Sequence, residues 1–286
     1  MPPGDPPDPL SLHSPLAARL FFGVLERRLL RASSALRLAR GSPTAADLHP
    51  AVDGRPLVVF CNHPSWWDVG TLAGVLARLV PSRRLFAPFD AAALGRYGFL
   101  ARCGAFGVEP AGVRGLRRLL DVGGRVLADP RSMLCITPQG AFTDARVRPI
   151  VLRRGLATLL ARTPGAVALP VALDYPFWSE SRPEALARVG APIVLAEPLR
   201  EDPARDVDAW QRRLTDGLAA TMDALTADAI ARDPSRFSVL AEGRAGVGGV
   251  YGAWRRLRAT ARGDRFDGRH AAADARPDGR PLRAPP

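Results

Sequence analysis

The chain contains no lysine, so its positive charge is carried by arginine alone, and 40 arginines against 28 acidic residues leave a net charge of +12. That balance points to a phosphate-bearing partner, either nucleic acid or an anionic lipid surface. GC-rich coding accounts for the missing lysine but not for the excess of arginine over acids. Asparagine occurs once, as Asn62. Cysteine is sparse as well: Cys61, Cys103 and Cys135 are odd in number and form no CxxC pair and no zinc-like spacing. This excludes a disulfide framework, points to a reducing compartment and predicts no metal site. Each cysteine reads as a small buried hydrophobe at a strand end. His13, His49 and His270 fall in segments that read as loop or tail, which leaves His63 as the histidine with a chemical context. No uncharged apolar run reaches the roughly eighteen residues of a transmembrane helix. The opening MPPGDPPDPL lacks the basic segment and apolar core of a secretory signal, and residues 1–11 read as disordered.

What is present suits one large domain with extensions. The 286 residues are 47% hydrophobic and 24% charged, enough for a substantial core. Residues 12–40 predict one long amphipathic helix or two short ones. Leu16, Leu20 and Val24 recur at helical spacing, as do Phe21, Leu25, Leu29 and then Leu36, with arginines on the remainder. Such a stripe either lies in a membrane interface or packs on the domain. GSPTAADLHP (41–50) reads as a loop. From about residue 50 to 240, short apolar strands alternate with longer helical stretches, which predicts an α/β domain with a mixed, mostly parallel sheet flanked by helices. Strands are expected at 57–61, 85–87, 105–108, 133–137, 167–173 and 193–195. Helices are expected at about 64–80, 91–102, 113–127, 152–162 and 207–231. Residues 241–264 form a Gly/Arg-rich extension whose glycines do not complete G-x-G-x-x-G, because Tyr251 stands where the third would be. Residues 265–286 read as a disordered tail.

The chemistry concentrates at VVFCNHPSWWDVG (58–70). The strand stops at Asn62-His63, and Pro64 fits the first turn of a following helix. His63 and Asp68 are separated by four residues across this corner. A carboxylate there can fold back onto one imidazole nitrogen and leave the other free to take a proton. Taken alone, the corner reads as a capped helix start with a core histidine and two packing tryptophans.

Its resemblance to a known family turns it toward chemistry. NHPSWWD resembles the His-x4-Asp signature of the glycerolipid acyltransferases, the family of lysophosphatidic acid and glycerol-3-phosphate acyltransferases. Further blocks follow in that family's order, from about Pro56 to Leu173. CGAFGVEP (103–110) resembles its Gly-x-x-Phe-x-x-Arg element through Gly104 and Phe106, but Glu109-Pro110 stands where the family has arginine. ITPQGAFTDAR (136–146) resembles Phe-Pro-Glu-Gly-Thr-Arg through Pro138 and Gly140, with Gln139 for the acid and Phe142 for the arginine. RPIVLRRGLATLLA (148–161) and VALPVAL (167–173) resemble the family's later helix start and last strand, with Arg153, Arg154 and Gly155 in step. The resemblance implies a glycerol-3-phosphate acyltransferase-like fold in residues 50–240 and membrane contact through the N-terminal helix. It also implies acyl transfer from an acyl thioester, on coenzyme A or acyl carrier protein, to a lipid hydroxyl, with no other cofactor.

On this reading His63 is the general base, oriented by Asp68. Gly104, Phe106, Pro138, Gln139, Gly140, Arg146 and Arg153 are expected at the substrate. The two missing arginines redirect the expected acceptor away from a small phosphate ester, toward a lysophospholipid with a larger headgroup or a glycolipid hydroxyl. Arg146, Arg148 or Arg153 would have to hold a phosphate instead. The expected location is cytoplasmic, peripheral at the inner face of the cell membrane. Ser65 lacks the glycine neighbours of G-x-S-x-G, which sets a serine hydrolase aside. The alternative of another class is an inactive relative that binds lipid or acyl chains. No nucleic-acid motif accompanies the arginines.

Overall fold

The computed structural model describes residues 8–194 and 203–244. In chain order these form α1 (Pro9–Leu12), α2 (Pro15–Ala32), β1 (Ala35–Ala39), α3 (Ala45–Val52), β2 (Leu57–Cys61) and α4 (Asp68–Leu79). There follow β3 (Arg84–Asp90), α5 (Ala91–Arg96), a 3₁₀ segment (Gly98–Cys103), β4 (Ala105–Val108), α6 (Gly112–Ala128) and β5 (Ser132–Ile136). The chain continues through α7 (Gly155–Ala161), β6 (Val167–Asp174), β7 (Ala185–Val189), β8 (Ile193–Val194), α8 (Pro203–Ala231) and β9 (Phe237–Glu242).

The strands build a single sheet in the order β4-β3-β5-β2-β6-β7-β1-β9, with β8 paired to β6. From β4 to β6 every pairing is parallel, whereas β6–β7, β6–β8 and β1–β9 are antiparallel. Helices cover both faces, so the central strands β5, β2 and β6 are apolar except at the end residues Ser132 and Asp174. Along β2, Val58 and Phe60 join one core with α6, α7 and α8. Leu57, Val59 and Cys61 point the other way into a core shared with α2, α3 and α4.

The chain departs from expectation mainly toward the N-terminus. Pro9–Leu12 is helical, and all but Leu12 of it lies in the 1–11 stretch expected to be disordered. The helix expected over 12–40 stops at Ala32, and Ala35–Ala39 is a buried strand between β7 and β9. Leu36 and Arg37 therefore lie in the sheet, where Arg37 pairs with buried Glu184 at 2.7 Å and lies 5.8 Å over the Trp178 ring. An internal salt bridge lets an arginine occupy a position that composition alone assigns to a polar helix face. The expected loop at 41–50 contains α3, started by a reciprocal cap between Thr44 and Asp47. The helix after β2 begins at Asp68 rather than Pro64, and the helix expected over 91–102 divides into α5 and the 3₁₀ segment. Strands β7 and β9 were not expected. Residues 1–7 and 245–286, including the expected tail, lie outside the described residues.

The crossovers position the site. After β2 the chain leaves through α4 on one face toward β3; after β5 it leaves through α7 on the opposite face toward β6. Neighbouring strands β2 and β5, whose outgoing helices pack on opposite faces, thus form a switch point of the sheet, and α/β sheets bind ligands at the carboxyl ends of the strands at such a point.

Gly104, expected at the substrate, makes the tight turn from the 3₁₀ segment into β4. Its φ is 99°, and a Cβ there would stand 2.1 Å from the Leu85 carbonyl oxygen. Gly104→Ala is expected to destabilise the protein by at least about 1–2 kcal/mol from left-handed backbone alone, read as a lower urea midpoint.

Candidate active site

At the end of β2, the Asn62 side chain extends the pairing with β6. Its Nδ2 donates to the Leu173 carbonyl at 2.9 Å, and the Leu173 N–H donates to Oδ1 at 2.8 Å. The next residue is clamped through its backbone by the loop after β5. The His63 N–H donates to Gln139 Oε1 at 2.9 Å, and the His63 carbonyl accepts from the Thr143 N–H at 2.9 Å. Both ends of the His63 peptide unit are thereby tied to the neighbouring strand's loop.

The imidazole then meets Asp68, the first residue of α4, with Nδ1 2.7 Å from Oδ2. Oδ2 also accepts the Ser65 N–H at 3.2 Å, and Oδ1 accepts the Tyr175 hydroxyl at 2.9 Å. The Tyr175 hydroxyl lies 3.0 Å from Thr71 Oγ1. An anion beside the first N–H groups of a helix is favourably placed. With Nδ1–H donating to the carboxylate, Nε2 carries the lone pair and is free to accept a proton. The Asp68 side chain is 2% exposed and that of His63 is 22% exposed, so the anchoring carboxylate is sealed while the imidazole reaches solvent. Phe142 stacks on the imidazole at 4.2 Å between centroids.

The surroundings fix which groups exchange protons. Burial, and then the Asp68 charge, hold the Tyr175 hydroxyl well above its ordinary range, so it stays a donor. Burial likewise pushes the Cys61 and Cys135 thiols up, with Asp68 adding to the effect on Cys61. Neither thiol is available as a thiolate beside His63. Among the described residues no group of three or more His, Cys, Asp or Glu side chains gathers as a metal ion would require.

The other residues expected at the substrate separate by role. Pro138, Gln139 and Gly140 form the turn against His63, where Gln139 uses its side-chain oxygen on the His63 backbone. The Arg153 N–H donates to the Pro138 carbonyl at 2.8 Å, and its guanidinium lies over Gly140 and donates to the Pro110 carbonyl. Arg153 thus fastens this loop to the one after β4. Arg146 pairs with Asp144 at 3.2 Å, Arg148 with Asp223 and Arg154 with Asp208. Phe106 is 2% exposed and belongs to the core with Phe60, Phe86 and Leu119.

Sequence reasoning missed Tyr175 and Thr71 and gave Phe142 no positive role. Tyr175 follows β6, a location that nominates it once β6 is known to neighbour β2. The chain matches no family model, and no curated protein matches it.

Asn62→Ala would strand the buried N–H and carbonyl of Leu173, a loss of about 1–3 kcal/mol. The expected readout is a lower urea midpoint with an unchanged slope.

Proposed function

We propose that this protein is a membrane-associated O-acyltransferase of the glycerolipid acyltransferase kind, moving an acyl group from a thioester to a lipid hydroxyl. The observation that carries the reading is the His63–Asp68 pair. Its free imidazole nitrogen is carried at the carboxyl ends of β2 and β5, the switch point of the sheet. The resemblance of the sequence blocks to that family supplies the reaction class.

In the proposed step His63 Nε2 removes the acceptor hydroxyl proton as that oxygen attacks the thioester carbonyl. Asp68 holds the imidazole and stabilises the imidazolium. The tetrahedral intermediate collapses with cleavage of the C–S bond, and the imidazolium returns its proton to the leaving thiolate. The thioester is already activated, so the step needs no enzyme nucleophile.

The surroundings support an acceptor other than a small phosphate ester. Arg146, Arg148, Arg153 and Arg154 each have a carboxylate or carbonyl partner, Gln139 is engaged with the backbone, and the group stacked on His63 is a phenyl ring. A lysophospholipid with a larger headgroup, or a glycolipid hydroxyl, fits these neighbours better.

Membrane contact is supported by the division of the α2 stripe. Leu29 is fully buried, whereas Leu16, Leu20 and Val24 are 68%, 59% and 47% exposed. With Phe99, Arg28 and Arg102 they line an open apolar groove of about 710 Å³. No described helix is long and apolar enough to cross a membrane, so the proposed attachment is peripheral. Apolar residues flanked by arginines suit an anionic interface.

Two measurements test this. With purified protein, long-chain acyl-CoA or acyl carrier protein thioesters and a panel of lysophospholipids and glycolipids, thiol release is expected to depend on one acceptor class. His63→Ala, with folding checked by circular dichroism, should lower it by about 10²–10⁴-fold. If no acceptor supports release while the protein binds acyl chains, the transferase reading fails and a lipid-binding protein takes its place. Separately, the protein should sediment with phosphatidylglycerol vesicles and less with phosphatidylcholine. The Leu16→Glu/Leu20→Glu double variant should weaken that binding roughly tenfold or more, since each buried leucine contributes about 1.5–3 kcal/mol. Unchanged binding would sink the proposed contact.

A further inference from the structure

We propose that Tyr175 is a positioning residue of the His63–Asp68 pair, its hydroxyl fixing the rotation of the Asp68 carboxylate so that Oδ2 faces His63 Nδ1. The kinetic half of the test rests on the function proposed above, whereas the spectroscopic half does not.

The carboxylate of an aspartate turns about a soft bond with broad minima. Oδ2 receives Nδ1–H at 2.7 Å and the more distant Ser65 N–H at 3.2 Å, both on one side of the group. Those two bonds restrain the group from one end and leave Oδ1 without a donor. Tyr175 completes the arrangement by donating to Oδ1 at 2.9 Å. Its hydroxyl is steadied by Thr71 Oγ1 at 3.0 Å, on a fully buried residue one turn along α4 from Asp68.

The sheet itself anchors Tyr175. This residue directly follows β6, and two residues earlier Leu173 exchanges both backbone hydrogen bonds with Asn62, the neighbour of His63. Its own N–H is occupied by the Asp174 side chain at 2.8 Å. The position of β6 relative to β2 thus reaches the carboxylate from one side as it reaches His63 from the other. Because the hydroxyl remains protonated, the donor does not change with pH in the working range.

Tyr175→Phe removes one oxygen and keeps the ring. In proton NMR the hydrogen-bonded Nδ1–H of His63 should give a downfield resonance that disappears in His63→Ala. In Tyr175→Phe that resonance is expected to broaden through exchange as the carboxylate turns. Once the acceptor is known, kcat should fall roughly tenfold, the loss of one hydrogen bond to a charged group, with the thioester KM unchanged. A resonance unchanged in position and width overturns the proposal, whether or not any acceptor is found. So does an unchanged kcat. If Tyr175→Phe does not fold, ring-fluorinated tyrosine at this position keeps the hydroxyl but makes it a stronger donor. The His63 resonance must then shift, and its failure to shift likewise overturns the proposal.

Discussion

The Asp68 carboxylate is buried to 2% exposure, and the architecture of the site follows from satisfying it. A carboxylate taken out of water costs several kcal/mol unless donors replace its hydration. Here the donors come from three places: the imidazole of His63, the backbone of Ser65 and the hydroxyl of Tyr175. The first two belong to the loop between β2 and α4, which explains why that loop doubles back before the helix begins. The third comes from the far side of β2, from the strand next to it in the sheet.

That neighbouring strand is what makes the constellation possible. His63 follows β2, Gln139 and Thr143 follow β5, and Tyr175 follows β6, three parallel strands side by side. Parallel strands end at one edge of the sheet, so residues far apart in sequence converge there without any long-range loop. Asn62 ties two of those ends together through paired hydrogen bonds to Leu173. The single asparagine of the chain thus supplies what a further residue of strand would have supplied, while freeing the backbone to turn. The side-chain oxygen of Gln139 takes the His63 N–H, a bond that requires an acceptor and no charge. Its departure from the acidic residue of the resembled family is therefore compatible with holding the histidine in place.

Much of this was legible in the sequence because each local signal agreed with its tertiary setting. The continuous apolar runs at 57–61 and 167–173 are buried on both faces, and the His63–Asp68 spacing spans a corner that does fold back. The illegible parts have physical causes. Ala35–Ala39 follows a helical stripe without a proline or glycine break, and its arginine is accommodated by Glu184, a residue 147 positions away. Residues 45–52 carry a capping signal in Thr44 and Asp47, and the short helix accommodates Pro50 in its interior. Tyr175 could not be nominated without strand order, since nothing in the local sequence says that β6 lies against β2. Gly104 and Phe106 show the reverse case. Both fit a motif, yet backbone geometry explains the first and core packing the second.

The arginine excess separates in the same physical way. Arg37 lies inside the domain, where Glu184 compensates it. Arg146, Arg148 and Arg154 stand near the loop after β5, each neutralised by an acid close by, and Arg153 is spent on a backbone carbonyl. On α2, by contrast, Arg19, Arg27, Arg28 and Arg31 are exposed around leucines that have no packing partner in the core. A charge clustered beside uncovered apolar surface suits a surface-sized partner, whereas a charge poised at His63 would suit a substrate. On the function proposed above, the exposed arginines of α2 therefore serve attachment rather than recognition at His63. On the same reading, the site around His63 selects its acceptor by shape and hydrogen bonding.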